Sequence, residues 1–346
     1  MKVDYIIVGC GLAGVAFSEK LKAKNKSFVV FEDSSQQSSI VAGGLYNPVT
    51  LKRFTPVWKS EEQLQTALPV YNKLEKEYNV TLDYKIPVIR RFTSLEEQNN
   101  WFEASDKVGL KPFLNTTLID NNNPKIDAQF KLGEVLSTGR LDTKLLVEKY
   151  RADLKTKNCL IEESFDYDAL SIGHDCVIYK NINAKHIVFA EGFGLKQNPY
   201  FNNLPLGGTK GQLLTIHAPD LKLDYVLKSS VFVIPLGNHN YRVGSTYEQK
   251  DKTNTITSEA RDMLLDKLKT FIKCDFEVLT QVAGVRPTVK DRKPLVGRHQ
   301  TFKNMYIFNG LGSRGVMIAP YVANQLYNFI ENNVAIDAEI DCSRFY

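Results

Sequence analysis

Asp4-Tyr5-Ile6-Ile7-Val8-Gly9-Cys10-Gly11-Leu12-Ala13-Gly14 decides the fold. Tyr5 to Val8 is a short apolar, β-branched run, the pattern of a buried strand. A complete G-x-G-x-x-G follows it directly. From Leu12 to about Lys24 the spacing is helical, with Val15, Ala16 and Leu21 keeping one face mainly apolar. A second buried run, Ser27-Phe28-Val29-Val30-Phe31, ends in Glu32-Asp33. In this pattern Gly9 permits the tight turn, Gly11 lets backbone N–H groups approach a pyrophosphate, and Gly14 lets helix and strand pack closely. The helix start at Leu12 and Ala13 offers a positive dipole end to phosphates. Glu32, 18 residues past Gly14, stands where a carboxylate accepts hydrogen bonds from a ribose. Glycines alone would be a flexible turn; strand, glycines, helix, strand and acid in register predict dinucleotide binding.

The bulk numbers bound the rest. A chain of 346 residues can bury a large core in two lobes. Its 43% hydrophobic and 24% charged content is that of an ordinary globular protein. The net charge of +5 does not supply the basic face that nucleic acid asks for. Cys10, Cys159, Cys176, Cys274 and Cys342 form no C-x-x-C and no paired framework, so reduced thiols in a cytoplasm are expected. Asp4 and the glycines sit where the apolar core of a secretion signal would lie, and no run of about 20 apolar residues exists to span a membrane. None of the five histidines stands in a motif, and no metal site is expected.

Further along, Ser39 leads into Ile40-Val41-Ala42-Gly43-Gly44-Leu45-Tyr46, either a plain loop or a backbone lying against something flat. Ser60-Glu61-Glu62-Gln63 reads as a capping box before a helix with Pro69 as a kink. Ile187-Val188-Phe189-Ala190 reads as a buried strand ending in Glu191-Gly192. Gly207 to Gln212 reads as a glycine-rich loop before a strand Leu213 to His217; it lacks the residue order of a P-loop. Gly237-Asn238-His239-Asn240 joins two strand runs as a hairpin. Finally, the strand Met305 to Phe308 meets Asn309-Gly310-Leu311-Gly312-Ser313-Arg314-Gly315-Val316 before a last helix. That junction offers a second positive helix end, suited to the negative charge of a reduced ring.

Only one dinucleotide fingerprint is present, at the extreme N-terminus, which favours FAD over a nicotinamide. Here the chain resembles the D-amino-acid-oxidase-like FAD-dependent oxidoreductases, the group containing glycine oxidase and sarcosine oxidase. The resemblance rests on Gly9/Gly11/Gly14 with Glu32, Ser39 to Leu45, Val188 to Gly192, Gly211-Gln212, Ala283 to Gly297 and Asn309 to Pro320. It implies an α/β fold of two lobes. One is a discontinuous Rossmann-like FAD domain (1–83, 134–206 and 282–346). The other is a mixed or antiparallel β-sheet substrate domain (84–133 and 207–281). It implies FAD contacts at Gly9, Gly11, Leu12, Ala13, Gly14, Glu32, Asp33, Ser39, Gly43, Gly44, Leu45, Ala190, Gly192, Gly310, Gly312, Ser313, Gly315 and Val316. Cys274 and Cys342 do not match the cysteine motif that anchors flavin covalently in sarcosine oxidase, so the FAD is expected to be non-covalent.

The resemblance also implies the chemistry. A neutral amine loses hydride from its α-carbon to flavin N5, and water hydrolyses the imine, with no strong protein base. The expected substrate is a small-molecule amine or amino acid carrying a carboxylate. Arg286, in Gly284-Val285-Arg286-Pro287, matches the arginine that holds that carboxylate; taken alone it could instead cap a turn or pair with Asp291. Arg314 matches a second active-site arginine and could alternatively serve the flavin's negative charge. Two rivals stand beside this reading: oxidation of a carboxymethylaminomethyl group on a modified tRNA uridine, and flavin binding without turnover.

Overall fold

The computed structural model describes residues 1–346, and two sheets organise it. The first has eight strands. At its centre Leu160–Ile161, Phe28–Phe31, Lys2–Val8 and Ile182–Phe189 run parallel in that order. Met305–Asn309 continues the parallel set against the end of Ile182–Phe189. The hairpin Leu170–Ile172 and Val177–Tyr179 pairs antiparallel with the start of that same strand.

The sequence of Lys2–Val8 explains why it is central. Tyr5 and Ile7 enter one apolar core while Val3, Ile6 and Val8 enter another, so both faces are covered, as parallel strands require. The helices Leu12–Lys22, Ser60–Tyr78, Thr143–Thr156 and Gly315–Asn332 supply the first of those cores.

The capping box expected at Ser60 is not formed. The helix Ser60–Tyr78 is preceded by Lys59 in the left-handed region at φ 44°, with no side-chain cap. Ser60 is buried, and the Gln63 amide donates instead to the Trp58 carbonyl at 2.6 Å. The helix runs on through Pro69.

The second sheet has seven strands, in the order Glu277–Val289, Leu206–His217, Asn240–Gly244, Phe232–Gly237, Val226–Lys228, Val88–Arg91 and Leu132–Val135. Leu206–His217 corrects the expected glycine loop: residues 207–212 are strand, paired with Glu277–Val289 from Leu206↔Val289 onward. Their glycines mark close neighbours on the sheet rather than a turn. The strand Glu277–Val289 also crosses the expected domain boundary at 281/282, which places Arg286 on this sheet. One face carries Leu214, Ile216, Tyr241 and Val243 against Leu264 and Leu268 of the helix Ser258–Lys269. The other turns to the first lobe, where Gly284 lies against Val41 and Ser38, and Ile234 against Gly43. No helix is long and apolar enough to cross a membrane.

Candidate functional site

Four parallel strands of the first sheet end side by side, at Val8, Phe31, Phe189 and Asn309. The crevice outside the carboxyl ends of such strands is where open α/β sheets bind ligands. Gly9 packs on the Ala190 carbonyl, and Asn309 Nδ2 donates to the Gly192 carbonyl at 2.9 Å, so both ends of the chain meet here. The helix Leu12–Lys22 begins at Gly11 with no side-chain cap, leaving its positive end to face the crevice. Gly14 fits flush beneath the turn: a Cβ there would lie 2.0 Å from the Gly9 carbonyl oxygen. Ser39 Oγ accepts from the Leu12 N–H at 3.1 Å, which brings the short helix Ser38–Val41 to the same place.

Glu32 is buried at the tip of the second strand. Its carboxylate accepts from the Cys10 N–H at 2.5 Å and the Ser34 N–H at 2.7 Å, and Arg151 Nη2 lies 3.0 Å away. A carboxylate offers about four acceptor positions, so one remains open beside these three partners. Asp33 is exposed and accepts from the Ser35 N–H at 2.9 Å and Ser164 Oγ at 2.8 Å. Gly43, Gly44 and Leu45 follow the helix Ser38–Val41, and Leu45–Tyr46 pairs with Gly139–Leu141.

The second glycine junction meets the first at its helix start. Gly310 is buried against Val289 and Leu295, and the Gly312 N–H donates to the Pro287 carbonyl at 2.9 Å. Ser313 is exposed, and the helix Gly315–Asn332 also begins without a side-chain cap. Gly315 lies against Leu12, which joins the two helix starts. Val316 is buried, its carbonyl accepting from Tyr71 Oη at 2.6 Å.

Arg286 lies on the strand of the second sheet whose Gly284 packs on Ser38 and Val41 and whose Pro287 carbonyl takes the Gly312 N–H. Its Nη2 donates to Ser245 Oγ at 2.7 Å and its Nη1 to the Thr246 carbonyl at 3.3 Å. The Tyr247 ring lies over the guanidinium at 4.8 Å. Gly211, one strand away, makes the space: a Cβ there would fall 1.9 Å from Arg286 Nη2. Asp291 pairs with Arg344 at 2.9 Å and not with Arg286. Burial lowers the Arg286 pKa from its usual value, so the charge sits where solvent compensates it poorly. Arg314 Nη2 donates to Thr50 Oγ1 at 2.8 Å, and burial together with the Arg292 charge lowers its pKa too. Neither arginine has a carboxylate within ion-pair distance.

A family model described as FAD dependent oxidoreductase (DAO) matches residues 4–328. The chain belongs to that family. As an FAD-dependent oxidoreductase of the DAO family it shares its fold with iminodiacetate oxidase from Chelativorans sp. BNC1, at a TM-score of 0.81 and 14% identity over 97% of this chain and 98% of that one. Glycine oxidase from Geobacillus kaustophilus gives a TM-score of 0.80 at 17% identity, covering 99% of each chain. Among curated proteins, glycine oxidase of Bacillus subtilis (strain 168) is 26% identical over 43% of this chain and 42% of its own length. The tRNA 5-methylaminomethyl-2-thiouridine biosynthesis bifunctional protein of Legionella pneumophila (strain Lens) is 23% identical over 96% of this chain. The chain spans 54% of that relative's length.

Three residues that contact the candidate site carry no signal in the sequence. Arg151, whose Nε and Nη2 also donate to the Cys10 carbonyl at 3.3 and 3.2 Å, ties the turn to Glu32 from a helix that reads as ordinary and amphipathic. Thr50 and Tyr247 lie in stretches with no periodicity, so only the fold reveals what they touch.

Glu191, between Ala190 and Gly192, accepts from Tyr167 Oη and from Asn198 Nδ2. Burial pushes its carboxyl from 4.5 up to about 7; those two hydrogen bonds pull it back, and the Asp33 charge pushes it further. A folded pKa above the unfolded one means stability that is full below pH 4.5 and lost as pH rises through 7. At about 1.4 kcal/mol per unit, the loss is on the order of 3 kcal/mol. Glu191→Gln should therefore flatten the fall in Tm between roughly pH 4.5 and 7. A slope that persists unchanged in the variant would assign the effect to another group.

Proposed function

We propose that this protein oxidises the C–N bond of a small amino acid or secondary amine bearing a carboxylate. The observation carrying the reading is Arg286: a half-buried guanidinium with no acid partner, on the sheet face turned toward the glycine-rich crevice. A guanidinium fork grips a carboxylate with two parallel hydrogen bonds, which fixes the α-carbon in one place. FAD would be held by the turn Gly9–Gly14 with Glu32, Ser39 and Gly43–Leu45, by Ala190 and Gly192, and by the junction Gly310–Val316. When bound it supplies the acceptor for the hydride leaving the α-carbon. Arg314 would lie at the same junction, as a second cation for carboxylate or flavin.

A second reading is favoured by the length of the match to the bifunctional tRNA-modification protein, 96% of this chain against 43% for glycine oxidase. It places the carboxylate on a carboxymethylaminomethyl group of a tRNA uridine. Anaerobic mixing of the FAD-loaded protein with glycine, sarcosine, D-amino acids and iminodiacetate, and separately with tRNA bearing that group, separates the two. Bleaching of the flavin by a free amino acid supports the first reading. Bleaching by the tRNA alone supports the second, and bleaching by neither leaves a flavin protein without amine turnover.

A further inference from the structure

The groups that hydrogen-bond or stack on the Arg286 guanidinium come from one segment, 245–257, between the strand Asn240–Gly244 and the helix Ser258–Lys269. Ser245 and Thr246 accept its hydrogen bonds, and the Tyr247 ring lies over it with its centroid 4.8 Å from the guanidinium carbon, although that tyrosine is 70% exposed. An exposed ring over a half-buried cation makes Tyr247 one boundary between Arg286 and solvent.

The segment is fastened along its length. Glu248 and Lys210 exchange both backbone hydrogen bonds, at 2.8 and 2.9 Å. The Lys210 side chain is 0% exposed, and its ammonium is held by Asp251 and by Thr253 Oγ1 at 3.5 Å. Asp251 also accepts from the Thr253 N–H at 2.7 Å, so the pair pins a turn as well as a charge. At the far end, the Gln212 amide exchanges hydrogen bonds with Thr257 N–H and Oγ1, both at 3.0 Å. Asn254 Nδ2 reaches across to the Ser35 carbonyl at 3.2 Å, beside the Glu32 loop. A fully buried lysine is costly to keep charged unless its partner is fixed. This one lies on the strand next to Arg286, one residue before the glycine that makes room for the guanidinium.

We propose that Tyr247 is the positioning residue for Arg286 and a determinant of which carboxylate substrates it accepts, with the Lys210–Asp251 pair holding the segment that carries it. The ring confines the guanidinium to one plane, so that the two bonds to Ser245 and Thr246 leave the remaining edge of the fork aimed at a carboxylate. Released from the ring, the same arginine keeps its charge but samples other planes, and a two-point contact weakens to a point charge. This rests on the carboxylate reading of Arg286.

The test uses the FAD-loaded full chain and two non-oxidisable probes, acetate and glycolate, whose binding is followed by perturbation of the flavin spectrum. Tyr247→Phe keeps the ring and is expected to bind both within about twofold of wild type. Tyr247→Ala is expected to bind them about tenfold more weakly, the scale of a partly desolvated cation–π contact. Asp251→Asn, which leaves every atom around Arg286 in the sequence, should shift binding in the same direction as Tyr247→Ala. With a substrate amino acid, the ratio of its kcat/KM to that of an uncharged amine should fall about tenfold in Tyr247→Ala, through KM. Acetate binding in Tyr247→Ala equal to wild type overturns the proposal. If wild type does not bind acetate, or Arg286→Lys binds it as tightly as wild type, the carboxylate reading of Arg286 fails and this proposal falls with it.

Discussion

Arg286→Lys is expected to keep its FAD and lose about 2–5 kcal/mol of interaction with carboxylate substrates, the scale for breaking a buried hydrogen-bonded charge pair. At about 1.4 kcal/mol per tenfold, that is a fall in kcat/KM of roughly 30- to several thousand-fold. Lysine preserves the positive charge, so a loss this large would come from geometry. The guanidinium is held by Ser245 Oγ and the Thr246 carbonyl, lies under Tyr247, and fills the space left by Gly211. An ammonium is a point charge on a flexible stem and cannot reproduce the planar fork. Because Arg286 lies on the second sheet and not in the turn Gly9–Gly14, FAD content should not follow it down. Single-turnover flavin bleaching with a carboxylate substrate and with an uncharged amine of similar size measures the ratio directly. Wild-type kcat/KM on the carboxylate substrate would move the anchor elsewhere and reopen the substrate class.

How much of this was legible in the chain depends on the range of each interaction. The first βαβ unit could be read because its signals are local. Tyr5 to Val8 and Phe28 to Phe31 carry their own apolar runs, and the strands form at Lys2–Val8 and Phe28–Phe31 as those runs require. The hairpin at Gly237–Asn240 and the junction before Gly315 were readable for the same reason. Residues 207–212 were misread because glycine content is a local signal of turns, whereas the glycines are there for distant neighbours: Phe193 packs on Gly208 and Arg286 on Gly211. Likewise Ser60 has the composition of a cap, yet the helix start is set by Lys59 adopting the left-handed region and by burial of Ser60 itself. Arg151 lies 119 residues from Glu32 in the chain, and the pairing exists only because the helix Thr143–Thr156 packs beside the first helix. Motif reading identifies what the backbone does nearby; it is silent about which side chains the fold later delivers.

Gly14→Ala is the substitution expected to remove the cofactor. The added methyl would sit 2.0 Å from the Gly9 carbonyl oxygen and 3.0 Å from its carbon. Both are backbone atoms of a turn pinned from two sides, by Ala190 against Gly9 and by Glu32 on the Cys10 N–H. No rotamer can relieve that contact, so either the helix Leu12–Lys22 retreats by about an ångström or the turn opens, at a cost of roughly 1–3 kcal/mol in stability. Either movement carries the helix N-terminus away from where a pyrophosphate would meet it, and misplacement on this scale costs about 100-fold. FAD affinity should fall accordingly, by about 3 kcal/mol. Wild-type protein should be yellow and release its FAD into the supernatant on acid precipitation, while Gly14→Ala should purify with little colour and take up added FAD only weakly. Circular dichroism of the variant separates local displacement from global unfolding, because helix content survives the first and not the second. A folded Gly14→Ala protein that retains stoichiometric FAD would remove the turn Gly9–Gly14 from the cofactor site.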